Sequence, residues 1–143
     1  MEISYNITNR EEKFFDVAKS VAKTSDFHKG KVGCCVVCKN VILSVASNTE
    51  KTHPLQRKYN KFRNFNVDES PARMHSEIRA LIPLINKNIK WKNVEIYIYR
   101  ILMNGNPAIS KPCPTCIRFI NDLGIRTVFY IDEHCNKVKV KLY

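Results

Sequence analysis

Residues 32–46 read VGCCVVCKNVILSVA and form the most strongly patterned stretch of this 143-residue chain. Apolar residues, many of them valine, fill positions 32–38 and 41–46, which is typical of two strands. Lys39 and Asn40 stand between the two runs and have the composition of a tight turn. We therefore predict a β-hairpin. Because both runs are almost continuously apolar, we expect its sheet to be covered on both faces.

The segments around this hairpin alternate between helical and extended patterns. The apolar spacing predicts three helices, over residues 10–24, 73–86 and 113–123. It also predicts three further strands, over residues 94–102, 125–131 and 137–142. Thr8 and Glu11 have the spacing of a capping box, Pro83 should shorten or kink the second helix, and Gly124 should end the third. The order predicts one α/β domain over residues 1–143, with a single mixed five-stranded sheet flanked by helices.

The composition limits the class of protein that this chain can be. Its 24 Lys and Arg against 13 Asp and Glu give a net charge of +11, which favours anionic partners such as nucleotides or nucleic acid. No apolar run approaches the roughly 20 residues that span a bilayer, and the first ten residues lack a signal-peptide core. We therefore expect no membrane partner and a cytoplasmic location, in the host cytoplasm if the chain is viral. In that compartment the six cysteines are thiols or metal ligands.

Two short motifs carry residues of metal-site chemistry, each at the start of a predicted helix. Residues 74–77 read MHSE and residues 112–116 read PCPTC. Cys113 and Cys116 are three residues apart and share a helix face, and the positive end of the helix dipole favours their thiolates. Together with His75 they form a ligand set suited to Zn²⁺. Three protein ligands leave a fourth position for water, as in catalytic sites, where the pKa of that water falls to about 7.

Glu77 completes this constellation as the candidate catalytic residue. It lies two residues from His75 in the predicted helix, so it points to another side and should not bind the same metal. It can instead approach the water and move its proton. Two alternatives remain open. The site could be a closed structural zinc site with a fourth ligand from His53, His134 or Cys135, or Cys113 and Cys116 could be ordinary buried thiols.

His-x-Glu followed by Pro-Cys-x-x-Cys, each opening a helix of an α/β domain, resembles the cytidine/deoxycytidylate deaminase superfamily, especially its small phage and bacterial CMP/dCMP type. The resemblance covers residues 32–131. It implies a three-layer cytidine deaminase-like sandwich. It also implies that Zn²⁺ is bound by His75, Cys113 and Cys116, and that Glu77 is the proton shuttle.

The resemblance also suggests residues that contact the substrate. The backbone N–H of Ser76, where the family usually has Ala, would hold the pyrimidine carbonyl together with that of Cys113. The backbone carbonyl of Ser110 would receive the departing amino group, and Asn48 would bond the base or the sugar. For Asn48, an ordinary turn residue is the alternative. Only residues 132–136 separate the last two strands, which predicts a hairpin and resembles the free-cytidine deaminases instead, so the resemblance leaves the substrate open.

The implied reaction converts cytosine to uracil in a small nucleotide, and dCMP or CMP is the substrate that we expect first. The basic, aromatic stretch 51–63 could hold a substrate phosphate or a single strand of nucleic acid, or it could be a solvated loop. The candidate contacts within it are Lys51, His53, Arg57 and Lys58. One alternative function is therefore a polynucleotide deaminase acting on single-stranded DNA or RNA. Another is a non-catalytic zinc-bearing nucleic-acid-binding module, against which Glu77 speaks. We also expect a homo-oligomer.

Overall fold

The protein is described here by a computed structural model, which covers residues 2–27, 30–50, 58 and 75–142. Its described strands form one mixed sheet. They are β1 (Glu2–Ser4), β2 (Lys31–Cys38), β3 (Val41–Ser47), β4 (Val94–Ile101), β5 (Pro107–Ala108), β6 (Thr127–Ile131) and β7 (Lys137–Lys141). The order is β1-β7-β6-β4-β2-β3, with β5 beside β4, and the β4–β6 pair is parallel.

The described sheet therefore has seven strands, and the prediction of five was wrong in number. The two additional strands, β1 and β5, are three and two residues long. Such short segments carry no readable alternation of apolar and polar residues. They become strands because β7 and β4 offer unpaired backbone groups beside them.

The predicted hairpin is confirmed as the antiparallel pair β2–β3. Lys39 and Asn40 both have positive φ, 49° and 68°, which matches the backbone twist of a tight hairpin turn. Of the two strands of this hairpin, the expectation of cover on both faces holds for the interior strand β2. The strand β3 lies at the edge of the sheet, where Val41 is 60% exposed and Val45 is 45% exposed.

The described helices lie on both faces of the sheet, which confirms the layered α/β architecture. They are α1 (Asn9–Ala22), α2 (Ser76–Leu81) and α3 (Pro114–Leu123). On one face, Phe15 of α1 packs against Tyr97 and Phe129, whose rings stack at 4.1 Å. On the other face, residues of α2 and α3 form a second apolar cluster with the sheet. None of the described helices is long and apolar enough to cross a bilayer.

The ends of the helices follow the sequence signals. The capping box of Thr8 and Glu11 is present at the start of α1. The helix α2 stops at Leu81 and tightens into a 3₁₀ turn over Ile82–Leu84, because Pro83 lacks the N–H that would continue it. Gly124 ends α3 in the left-handed conformation, at φ 94°. The predicted last hairpin is confirmed, since β6 and β7 pair in antiparallel orientation.

Candidate metal centre and its cavity

The two helices on the second face both begin at a candidate metal ligand. His75 is the N-cap residue of α2, with φ −78° and ψ 152°, and Cys113 is the N-cap residue of α3, with φ −69° and ψ 166°. Neither side chain caps its own helix with a hydrogen bond. Cys116 lies in the first turn of α3 and is fully buried. Three donors from two helix starts thus meet at one end of the sheet.

The distances between these donors fit a zinc ion. His75 Nδ1 lies 3.5 Å from Cys113 Sγ and 3.3 Å from Cys116 Sγ, and all three ligand atoms lie within 4.8 Å of one another. A zinc ion about 2.3 Å from sulfur and about 2.0 Å from nitrogen, with tetrahedral angles, holds two such donors about 3.5 Å apart. Two sulfurs and one imidazole nitrogen are also the donor types that Zn²⁺ prefers. The donor set and its spacing are therefore those of a His-Cys-Cys zinc site.

The surroundings of Cys113 and Cys116 shift the pKa values of their thiols in opposite directions. The hydrogen bond from the Cys116 thiol, followed by the interactions with His75, lowers the pKa of Cys113 to about 3, although burial opposes this. Burial, followed by the bond to Cys113, raises the pKa of Cys116 well above its usual range. The close contact of the two sulfurs with each other contributes to both pKa shifts, and contact with the His75 imidazole contributes to that of Cys113.

The alternative of a closed four-ligand site finds no fourth ligand among the described residues. Of the three residues proposed for that role, His134 and Cys135 lie on the exposed turn between β6 and β7, with a His134 side chain that is 75% exposed. Neither belongs to the group of donors around His75. The third, His53, lies outside the described residues. Within the described chain, the donor set has the three members that are typical of a catalytic zinc centre.

Glu77 lies beside this centre without joining its donor set. It occupies the first turn of α2 and is only 5% exposed. The hydroxyl of Ser76, which is itself fully buried, donates a hydrogen bond of 2.6 Å to Glu77 Oε1. A buried carboxylate next to a zinc site, held by a neighbouring hydroxyl, has the surroundings of a group that moves protons.

A cavity of about 250 Å³ opens on the zinc ligands. It brings together residues that are far apart in the sequence. Its described wall includes all three residues predicted to contact a substrate, as well as two of the zinc ligands and the carboxylate: Asn48, His75, Ser76, Glu77, Ser110 and Cys113. The roles of Asn48, Ser76 and Ser110 toward a substrate remain predictions.

Hydrogen bonds within the protein fix two of these residues. Asn48 Oδ1 accepts from the Val32 N–H at 2.9 Å and from the Ser25 hydroxyl at 2.6 Å, while its Nδ2 donates to the Gly30 carbonyl at 2.9 Å. The Ser110 hydroxyl donates to the carbonyl of Ile98 and accepts from the N–H of Ile131, both at 2.8 Å. Asn48 therefore clamps the segment that leads into β2. Ser110 ties its own loop to β4 and to the end of β6.

The cavity also contains residues that the sequence analysis did not single out. Arg100, the penultimate residue of β4, and the exposed Lys111 line it, together with Phe27 and Gly30. A sequence signal existed for Arg100, because it is the last charged residue in an otherwise apolar strand end. Of the four cations predicted to contact phosphate, Lys51, His53 and Arg57 lie outside the described residues. Lys58 is exposed and is not among the described residues that line the cavity.

Comparison with solved structures gives the same fold. The dCMP deaminase of cyanophage S-TIM5 in apo form is 23% identical, with a TM-score of 0.60, and the match covers 85% of this chain and 82% of that chain. The same phage enzyme in complex with dCMP and dUMP is 22% identical, with a TM-score of 0.63, and the match covers 90% of this chain and 85% of that chain. No curated protein sequence matches the chain at a significant level.

The sequence also matches a family model, described as the cytidine and deoxycytidylate deaminase zinc-binding region, over residues 8–132. The match spans most of the chain and includes both zinc-ligand motifs and Glu77. The geometry of the centre and this match lead to one identification: the chain belongs to the cytidine and deoxycytidylate deaminase family.

Proposed function

We propose that the chain is a zinc-dependent hydrolase that deaminates the cytosine base of a small nucleotide, dCMP or CMP, to uracil. The observation that carries the proposal is the buried Glu77 carboxylate beside a zinc site with three protein ligands, in one cavity. A structural zinc site has four protein ligands, so it has no open coordination position and needs no carboxylate beside it. In a hydrolytic site, that carboxylate is the group that moves protons.

The roles of the residues follow from their places in the cavity. His75, Cys113 and Cys116 would hold the zinc ion. When bound, the ion supplies an acidified water molecule, with a pKa of about 7, as a nucleophile at neutral pH. Glu77 would take a proton from this water and pass protons to the ring nitrogen and to the leaving amine. The C4–N bond of cytosine breaks, the oxygen of water becomes the new carbonyl, and ammonia leaves.

Backbone groups at the two helix starts would orient the base. The first N–H groups of a helix lack an intrahelical acceptor, so those of Ser76 and Cys113 can donate to a pyrimidine carbonyl. Ser110 would present its carbonyl to the amino group, since its hydroxyl and N–H already hold the loop in place. Asn48 Nδ2 carries a second N–H that could reach the base or the sugar, while its first N–H holds Gly30.

The substrate is the part of the proposal that most needs a direct test. One of the solved structures with this fold is a complex with dCMP and dUMP, which makes a nucleotide the first compound to try. We suggest measuring ammonia release by the zinc-loaded protein from cytidine, deoxycytidine, CMP, dCMP, dCTP, adenosine and single-stranded oligonucleotides, with Glu77→Gln as the inactive control. We expect release from dCMP or CMP.

The other outcomes of this assay separate the alternatives. Ammonia from oligonucleotides, with none from any free nucleotide, would replace the proposal by a polynucleotide deaminase. Zinc-loaded, folded protein that releases ammonia from no compound would leave a non-catalytic zinc module.

Six free cysteines support a reducing compartment, so we place the activity in the cytoplasm, or in the host cytoplasm for a viral chain. The expected homo-oligomer can be checked by sedimentation on the same samples.

A further inference from the structure

Arg100, near the carboxyl end of β4, lines the cavity. Side chains alternate along a strand, so Arg100 shares a face with Ile98, which belongs to the apolar cluster under α2 and α3 and also lines the cavity. Two residues of extended chain place Arg100 roughly 7 Å further along the strand than Ile98. Arg100 therefore lines the same cavity as His75 and Cys113, and it lies closer than Ile98 to the end of β4.

Arg100 has no anionic partner within the described part of the chain. In contrast, Arg10 forms ion pairs with Glu95 at 3.1 Å and with Glu11 at 3.5 Å. Among the described residues that line the cavity, Glu77 is the one carboxylate, and the Ser76 hydroxyl already occupies one of its oxygens. An anionic ligand could therefore pair with this half-buried guanidinium, which no carboxylate of the described residues does.

Gly30 makes room for the head of this arginine. A Cβ atom at position 30 would lie 2.9 Å from Arg100 Nη2 and 3.0 Å from its Nε, so the guanidinium lies against bare backbone. The carbonyl of Gly30 is held by Asn48 Nδ2 at 2.9 Å, which fixes this wall. The exposed Lys111 adds a second positive charge to the cavity lining. The cavity thus combines two cations with polar groups suited to a base near the zinc site.

We propose that Arg100, seated against Gly30 and assisted by Lys111, binds the 5′-phosphate of the substrate, so that the site selects a nucleoside monophosphate over the free nucleoside. The planar guanidinium presents paired donors that match two phosphate oxygens, which gives geometric selectivity as well as charge. A base beside the zinc-type donors would leave its phosphate to another part of the same cavity, whose described lining includes the two cations Arg100 and Lys111. This inference rests on the proposed function, because it assumes that the same cavity receives the nucleotide.

The test measures binding of dUMP and of deoxyuridine to the zinc-loaded protein by titration calorimetry, which needs no turnover. For Arg100→Gln we expect dUMP to bind about 10- to 100-fold more weakly, the usual cost of losing hydrogen bonds to a charged group, with deoxyuridine unchanged. Gly30→Ala keeps the charge but displaces the guanidinium, so it should give a smaller loss for dUMP alone. Arg126→Gln removes an exposed arginine outside the cavity and should change neither affinity.

Three results would overturn the assignment. Equal losses for dUMP and deoxyuridine in Arg100→Gln, with zinc content and melting temperature unchanged, would make Arg100 a structural residue. Unchanged dUMP affinity in that variant would place the phosphate elsewhere, and Lys51→Ala with Arg57→Ala would then be the pair to compare. Wild-type kcat/KM for deoxycytidine equal to that for dCMP would also refute the inference while leaving the deaminase intact. In contrast, Arg100-dependent dUMP binding without any ammonia release would refute the proposed function and support the phosphate site.

Discussion

The hydroxyl of Ser76 donates a hydrogen bond of 2.6 Å to Oε1 of Glu77, and both side chains are buried against the end of the sheet. The bond joins two successive residues of α2, immediately after the zinc ligand His75. It fixes one oxygen of a carboxylate that also lines the cavity. The side chain of residue 76 thus positions the carboxylate, while its backbone N–H remains available to a substrate.

This bond predicts a selective effect of Ser76→Ala. The variant should keep its zinc and its KM for dCMP, because the backbone N–H is retained, while kcat falls about 10-fold from the loss of one hydrogen bond to a charged group, worth about 1.5 kcal/mol. Ser76→Cys carries a weaker donor of similar shape, so its kcat should lie between those of the wild type and Ser76→Ala. Steady-state kinetics on all three proteins makes the comparison. A normal kcat in Ser76→Ala would show that the bond does not position Glu77.

Removal of the carboxylate itself should have a larger effect. Glu77→Gln is nearly isosteric, so fold and zinc content should be unchanged, and deamination should fall by at least about 100-fold, a typical contribution of a general acid–base group. Glu133→Gln, on the exposed turn before β7, is the matched control and should retain full activity. Near-normal turnover of Glu77→Gln would mean that another group moves the proton.

The metal content of variants tests the ligand set. The purified protein should bind about one Zn²⁺ per chain, and His75→Ala or Cys113→Ser should lose most of it, because each removes one of three donors. Cys135→Ser removes an exposed thiol outside the donor group and should leave the metal content unchanged. Elemental analysis measures the zinc content of the wild type and of these three variants. Loss of zinc in Cys135→Ser would favour the closed four-ligand site.

The contact between α1 and β2 predicts a position that tolerates no side chain. A Cβ atom at Gly33 would lie 2.1 Å from the Ala18 carbonyl oxygen and 2.4 Å from the Ala22 nitrogen, both of which are backbone atoms. Gly33→Ala must therefore push the helix away from the sheet, and we expect a loss of about 3 kcal/mol or more in the free energy of unfolding.

Gly105→Ala provides the comparison for this effect. Its φ is +85°, and apart from its chain neighbours no atom of the described residues lies within 4 Å of where its Cβ would stand. Only backbone strain of about 1 kcal/mol should therefore appear. Urea unfolding of both variants measures the difference. Equal stability losses would show that helix packing against Gly33 is looser than these distances indicate.

Much of the fold could be predicted because its signals are local. The capping box of α1, the turn at Lys39 and Asn40, the end of α2 at Pro83 and the stop at Gly124 each depend on residues within a few positions. The proximity of Cys113 and Cys116 was predictable for the same reason, since a Cys-x-x-Cys pair at a helix start lies on one face whatever surrounds it. The strands β1 and β5 were missed because they are too short to carry a pattern of their own, and pairing with β7 and β4 defines them.

The composition of the cavity wall could not be read from local patterns. The sequence alone specified the hairpin, the helix ends, the shared face of Cys113 and Cys116 and the place of Glu77 two residues after His75, because spacing along a helix or a strand fixes these relationships. Only the packing of α2 beside α3 brings His75 to the two thiols. Tertiary structure alone brought Arg100 to Gly30 and joined Asn48 to both Gly30 and Ser25. Those contacts depend on which strands are neighbours and in which register. Strand order and register are set by burial over the whole sheet, which no short segment contains.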